Sequence, residues 1–127
     1  MNKETEPTYS YDQEVDILYI SFSPGEKPTT AVELNDNILL RFNRTDKRAV
    51  GLTLMDFSVL VQLTDLGPRG FPLSGLVDLD SEWRETVIEI ITKPPVNQIL
   101  KVLVYTPSLS EAMPIITVER PPIPLAV

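Results

Sequence analysis

The sequence predicts an α+β fold: an antiparallel β-sheet (meander) of five or six strands, one clear helix over about 80–92, and one short helix as the preferred reading of about 56–64. Three observations predict it. Up to Met55, short segments of alternating apolar and polar residues follow one another through turn-forming residues, the pattern of strands joined by hairpins. One segment, Asp80–Ile91, carries its apolar residues at helical spacing. The length, 127 residues at 43% hydrophobic content, suits one domain with a modest core.

The elements follow in order. Met1–Pro7 reads as a frayed polar tail without secretory or transit character, so cytoplasmic residence is expected. Thr8–Tyr11 is a short strand, and Asp12-Gln13-Glu14 is a turn, since Asp can bond its own backbone there. Val15–Ser23 is the first strong strand; Leu18, Ile20 and Phe22 share one face, Ile17, Tyr19 and Ser21 the other. Pro24–Pro28 is a loop. Thr30–Leu34, Ile38–Phe42 and Ala49–Met55 are further strands, with Gly51 marking a bulge or a close approach of another group.

Asp56–Leu63 can be a short helix capped by Asp56 or a strand, because so short an apolar run has no decisive period. Gly67–Gly75 contains Pro68, Gly70 and Pro72 and is expected to be irregular. The helix at Asp80 has an acid at the N-cap, Glu82 and Glu85 near its positive end, and Pro94-Pro95 beyond its end. Its face of Trp83, Val87, Ile90 and Ile91 should cover the sheet. Gln98–Thr106 and Ile115–Arg120 are the last two strands, joined across Pro107–Pro114, and Pro121–Pro124 is extended. One domain is therefore expected, with residues 8–60 as a β unit and 61–127 as an extension carrying the helix and a C-terminal hairpin.

Composition excludes much chemistry. There is no cysteine and no histidine. Thiolate nucleophiles, disulfides, cysteine-based metal sites and histidine triads are thereby removed. A metal site would have to be all-oxygen, and none is expected. Net charge is −7, from 18 acids and 11 bases, with acids spread along the chain. Such a domain is repelled by phosphate backbones and anionic membranes. No apolar run approaches the roughly 20 residues that span a bilayer. Nucleic-acid and membrane partners are not expected.

The remaining constellations have plain readings. Asp12, Glu14 and Asp16 alternate, but the turn falls among them, so backbone-bonding turn chemistry is preferred to calcium ligation. Arg41, Arg44, Lys47 and Arg48 form a basic cluster with only Phe42 nearby and Asp46 within it, which reads as a solvated hairpin tip. Gly67-Pro68-Arg69-Gly70 has the spacing of a phosphate-cradling KH loop, but a proline removes an amide and the surrounding pattern is wrong. The aromatics at strand alternation read as core rather than as a ligand pocket.

The run Tyr11-Asp12-x-x-x-Asp16-x-Leu18-Tyr19-Ile20 resembles the start of the bacterial family called domain of unknown function 2283. Ala31-Val32-Glu33, Ile38–Phe42 and Val50-Gly51-Leu52-Thr53-Leu54-Met55-Asp56-Phe57-Ser58 continue the likeness over roughly residues 8–60. The resemblance implies a small β-meander in a cytosolic bacterial protein, and partnership in small toxin–antitoxin gene pairs for some relatives. It assigns no catalytic residue and no cofactor. Its motif positions, Tyr11, Asp12, Asp16, Leu18, Tyr19, Ile20, Gly51, Asp56 and Ser58, are expected to be structural.

The expected function is a non-enzymatic interaction or scaffold domain, acting as a homodimer or with a protein partner. The alternatives are an antitoxin-like partner of a small toxin, and a small-molecule binder or carboxylate-based enzyme. If a specific function is encoded, the Gly67–Gly75 loop and the Asp80 helix are where it is expected.

Overall fold

The computed structural model describes residues 7–64, 67–108 and 111–119, and the fold is α+β. The tail at residues 1–6 and the extended Pro121–Pro124 lie outside the described residues. Five strands form one antiparallel sheet: β1 (Thr8–Asp12), β2 (Ile17–Ser21), β3 (Thr30–Asn35), β4 (Ile38–Asn43) and β5 (Arg48–Met55). Their order is β1-β2-β5-β4-β3. A plain meander would place β3 beside β2. Instead β5 does so, and it is the most buried strand, covered at every position from Ala49 to Leu54. The hydrophobic effect sends this strand to the centre, and the longer Phe22–Thr29 connection lets β3 reach the far edge.

The predicted alternation holds. Leu18, Ile20, Leu34, Ile38, Leu40, Phe42, Leu52 and Leu54 are fully or almost fully buried on the inner face. On the outer face, cross-strand register sets Thr53 between Tyr19 and Leu39, and Gly51 between Ser21 and Arg41. Arg41 lies across Gly51 and donates from Nη1 to Thr53 Oγ1 at 2.8 Å. A Cβ on Gly51 would stand 2.8 Å from the Ile20 carbonyl oxygen and 3.1 Å from the Arg41 guanidinium. The β4–β5 register also shifts between Arg41 and Phe42, leaving Val50 as the extra residue of a bulge. Gly51 thus marks both features that its place in a strand suggested.

A single turn of helix, α1 (Phe57–Leu60), follows β5 and buries Phe57 and Leu60. It is shorter than the expected 56–64: the chain leaves it for β6 (Leu63–Thr64), which pairs with β7 (Gly67–Pro68). The Gly67–Gly75 stretch is likewise less irregular than expected, holding β7, β8 (Phe71–Pro72) and a 3-10 turn at Ser74–Leu76. That turn seals the open edge of β3 so closely that a Cβ on Gly75 would lie 1.8 Å from the Glu33 carbonyl oxygen.

Helix α2 (Ser81–Ile91) starts as predicted, with the Asp80 carboxylate accepting from the Trp83 amide at 3.1 Å. Val87, Ile90 and Ile91 are buried, and Trp83 meets Phe42 edge-to-face at 6.3 Å. Of the last two predicted strands, β9 (Leu100–Ser108) has the expected length but lies two residues later, and β10 (Glu111–Val118) starts four residues earlier and is longer. Pro107 and Pro114 fall inside them rather than in a loop, at points where, among the described residues, the ladder has a neighbour on one side only: β9 is outermost in its sheet, and β8 pairs with β10 at Ile115 and Ile116. These strands form a separate three-stranded sheet, order β8-β10-β9, rather than extending the first. The Ser74–Leu76 turn occupies the β3 edge. Leu100, Ile116 and Val118 therefore join the core from across it, in one cluster with Leu18, Leu54 and Ile91. Among the described residues no helix is long and apolar enough to cross a membrane.

Candidate functional site

The motif residues converge where the β1–β2 turn meets the end of β5. Asp12 makes the turn locally, its Oδ1 accepting from the Glu14 amide at 3.1 Å. Asp16 does something the sequence does not announce. Its backbone is left-handed, φ 57°, a conformation that Asp tolerates better than most residues. That geometry aims the carbonyl and carboxylate at α1, 42 residues away. The Asp16 carbonyl accepts the Phe57 amide at 3.0 Å. Its carboxylate accepts the Ser58 amide at 3.1 Å and the Ser58 hydroxyl at 2.6 Å. The Tyr11 hydroxyl, from β1, donates at 2.7 Å to Oδ1, the oxygen that also takes the Ser58 amide, while the Ser58 hydroxyl is on Oδ2; the Tyr11 ring packs edge-to-face on Phe57 at 5.6 Å.

Asp16 is therefore the cap of α1, supplied from a distant turn. Asp56, expected to cap α1, does not: its side chain makes no capping bond and its φ is 56°. With its backbone left-handed, the Asp56 carboxylate accepts from Asn37 Nδ2 at 2.9 Å instead. Burial alone would raise the Asp16 pKa, but the hydrogen bonds from Ser58 Oγ, Tyr11 OH and the Ser58 amide together outweigh it. The carboxyl titrates below its ordinary 3.8, so it is an anion at neutral pH.

Of the nine motif positions, the structure brings Tyr11, Asp16 and Ser58 together. Leu18 and Ile20 are core, Gly51 is the crossing point for Arg41, Asp12 holds the turn, and Asp56 holds Asn37. Tyr19 points outward and is 43% exposed. Ser58 has no basic partner in this arrangement; its hydroxyl donates to an anion. The long-range bond between Asp16 and Ser58 has one trace in the sequence, namely that both residues belong to the same family pattern.

The basic cluster is dispersed. Arg48 pairs with Glu26 and Asp46, Arg41 bonds Thr53, and the Arg44 guanidinium lies 4.2 Å from the centre of the Trp83 ring. Hydrogen bonds from Arg48, then Ser23 and Asn43, hold Glu26 below its usual range against a smaller opposing effect of burial. No group of three or more acids among the described residues is arranged to hold a metal ion.

Two concavities adjoin these groups. A wide, open depression of about 710 Å³ lies beside β1, lined by Ser10, Tyr11, Asp12, Gln13, Glu14 and Tyr19. A smaller cleft of about 220 Å³ runs between the β4–β5 tip and α2, where Arg44 and Lys47 face Glu82, Glu85 and Glu89 across Trp83.

Residues 8–58 match the family described as Protein of unknown function (DUF2283). The matched segment runs from the first residue of β1 to Ser58, so both ends of the Asp16–Ser58 bond fall inside it. No curated protein and no solved structure matches the chain.

Proposed function

We propose that this chain is a small, non-enzymatic cytoplasmic interaction module that works through a protein partner. One observation carries the reading. The chemically able side chains of the motif, Tyr11, Asp16 and Ser58, are bonded to one another and to backbone, while the strand they brace is the outermost of its sheet among the described residues and lies beside a depression lined in part by Tyr11 and Tyr19. Polar groups so engaged stiffen a surface rather than perform chemistry. Partnership with a small toxin is one form of this interaction, and the neighbouring gene discriminates it.

Self-association is a second reading, favoured by β9, a nine-residue edge strand whose Leu103 is 50% exposed. The small-molecule or enzyme reading would use the α2 cleft, whose acids sit on one helix flank opposite two bases. Its volume of about 220 Å³ falls under the roughly 300–1,000 Å³ usual for ligand pockets.

The test combines three measurements on the full chain. Affinity capture from cells that naturally make it should yield a stoichiometric protein, or sedimentation at high micromolar concentration should show a dimer. A thermal-shift screen of metabolites and divalent ions should be flat. A saturating ligand at a hundred times its dissociation constant adds about 2.7 kcal/mol, well within detection. A stabilising metabolite that is also turned over, with neither partner nor dimer, sinks the proposal.

A further inference from the structure

We propose that the cleft between the β4–β5 tip and α2 is the contact face of a twofold dimer of this chain, in which Arg44 and Lys47 of each copy meet Glu82 and Glu85 of the other. This deepens the self-association reading above, and rests on it, by assigning it a face.

The cleft has two walls of opposite sign. Glu82 and Glu85 stand three residues apart on α2, so they project from one flank of the helix. Arg44 and Lys47 stand opposite on the β4–β5 tip, and Trp83 lies between. All four charged side chains are exposed. Among the described residues no ion pair crosses the cleft: Arg48 pairs with Glu26 and Asp46, and Lys93 with Glu89. Arg44 is held over the Trp83 ring instead, 4.2 Å from its centre. A contact with the ring leaves guanidinium N–H groups to meet a carboxylate, and they bond no acceptor among the described residues. Arg on Trp also sets two residue types that dominate interface energetics at the middle of the cleft.

Symmetry selects the occupant. A surface with a basic row beside an acidic row is self-complementary about a twofold axis set between the rows. Each copy's bases then fall on the other's acids, and both rows are matched at once. A foreign cation or anion would satisfy one wall and be repelled by the other. A metal ion is disfavoured too, since no group of three or more acids among the described residues is arranged to hold one. Each copy carries a net charge of −7, so two copies repel at long range. A face that sets bases on acids offsets that repulsion at contact. Exposed ion pairs are individually weak, so the dimer is a weak one.

The test is sedimentation of the full chain at high micromolar concentration. At about 0.15 M salt, where long-range repulsion is screened, the wild-type chain should show a monomer–dimer equilibrium, and about 1 M salt should shift it to monomer. Arg44→Glu/Lys47→Glu and Glu82→Lys/Glu85→Lys should each raise the dissociation constant about tenfold or more, because like charges then meet. An equimolar mixture of the two should restore association, because the reversed walls are again opposite in sign. Urea midpoints check that both variants fold. Lys47→Glu and Glu85→Lys alone, which leave Arg44 on Trp83, serve the same exchange where a double variant does not fold. A wild-type dimer that neither variant weakens, or losses that the mixture does not restore, overturns this face and leaves self-association through β9 standing. A wild-type chain that stays monomeric overturns the face and the self-association reading together, and partner capture then decides the first reading by itself.

Discussion

Replacing Asp16 tests the architecture of the motif directly. In Asp16→Ala the Ser58 amide and hydroxyl and the Tyr11 hydroxyl lose a shared charged acceptor. Removing an N-capping Asp costs about 0.5–2 kcal/mol, and these groups are partly solvated, so about 1 kcal/mol is apt. Asp16 is also left-handed, and alanine there adds about 1 kcal/mol or more of backbone strain. The expected loss is about 2–3 kcal/mol, roughly 8–12 °C in Tm for a chain of this size. Asp16→Gly removes the acceptor without the strain and should lose about 1 kcal/mol less than alanine. Urea unfolding followed by circular dichroism reads all of these through the midpoint at constant slope. An Asp16→Ala chain within about 0.5 kcal/mol of wild type would refute the reasoning, since surface substitutions away from such features cost no more. So would equal losses for alanine and glycine. A cycle of Asp16→Asn with Ser58→Ala should show coupling of at least about 0.5 kcal/mol. The pH dependence has a definite sign. The folded carboxyl titrates below its ordinary 3.8, so its stabilisation is complete above that value and is lost as pH falls through the depressed one. The gap between wild type and Asp16→Asn should therefore close in strong acid.

Three further outcomes follow from packing and capping. Gly75→Ala would place a methyl 1.8 Å from the Glu33 carbonyl oxygen, and the backbone must move; a loss at or above about 3 kcal/mol is expected, seen as a large drop in urea midpoint. Gly51→Ala meets the Ile20 carbonyl at 2.8 Å and the more movable Arg41, so its loss should be smaller, about 1–3 kcal/mol, and amide shifts should concentrate on β2 and β4. Asp80→Ala frees the Trp83 amide and should lower stability by about 1 kcal/mol, whereas Asp80→Ser should restore most of it.

Residue patterns placed the strands through Met55, the inward face of Leu18, Ile20 and Phe22, and the α2 start at Asp80. Each rests on local forces: pleat alternation, helical spacing, and a side chain bonding an amide three residues away. The same local logic misassigned the α1 cap. Asp56 has the right residue type in the right place, yet its backbone is left-handed and its carboxylate serves Asn37. The true cap arrives from 42 residues earlier, and no local pattern encodes a bond between two loops.

By itself, then, the sequence determined an acidic α+β domain without thiol or imidazole chemistry, and a first half with the pattern of a known family, because composition and short-range periodicity are properties of the chain alone. Tertiary structure decided the rest. It put β5 at the centre, because the strand covered on both faces is best removed from water there. It gave the C-terminal strands a sheet of their own, because the Ser74–Leu76 turn had closed the β3 edge. And it turned Asp16 from a turn residue into the tie between β1, β2 and α1, because only folding brings that carboxylate to Ser58.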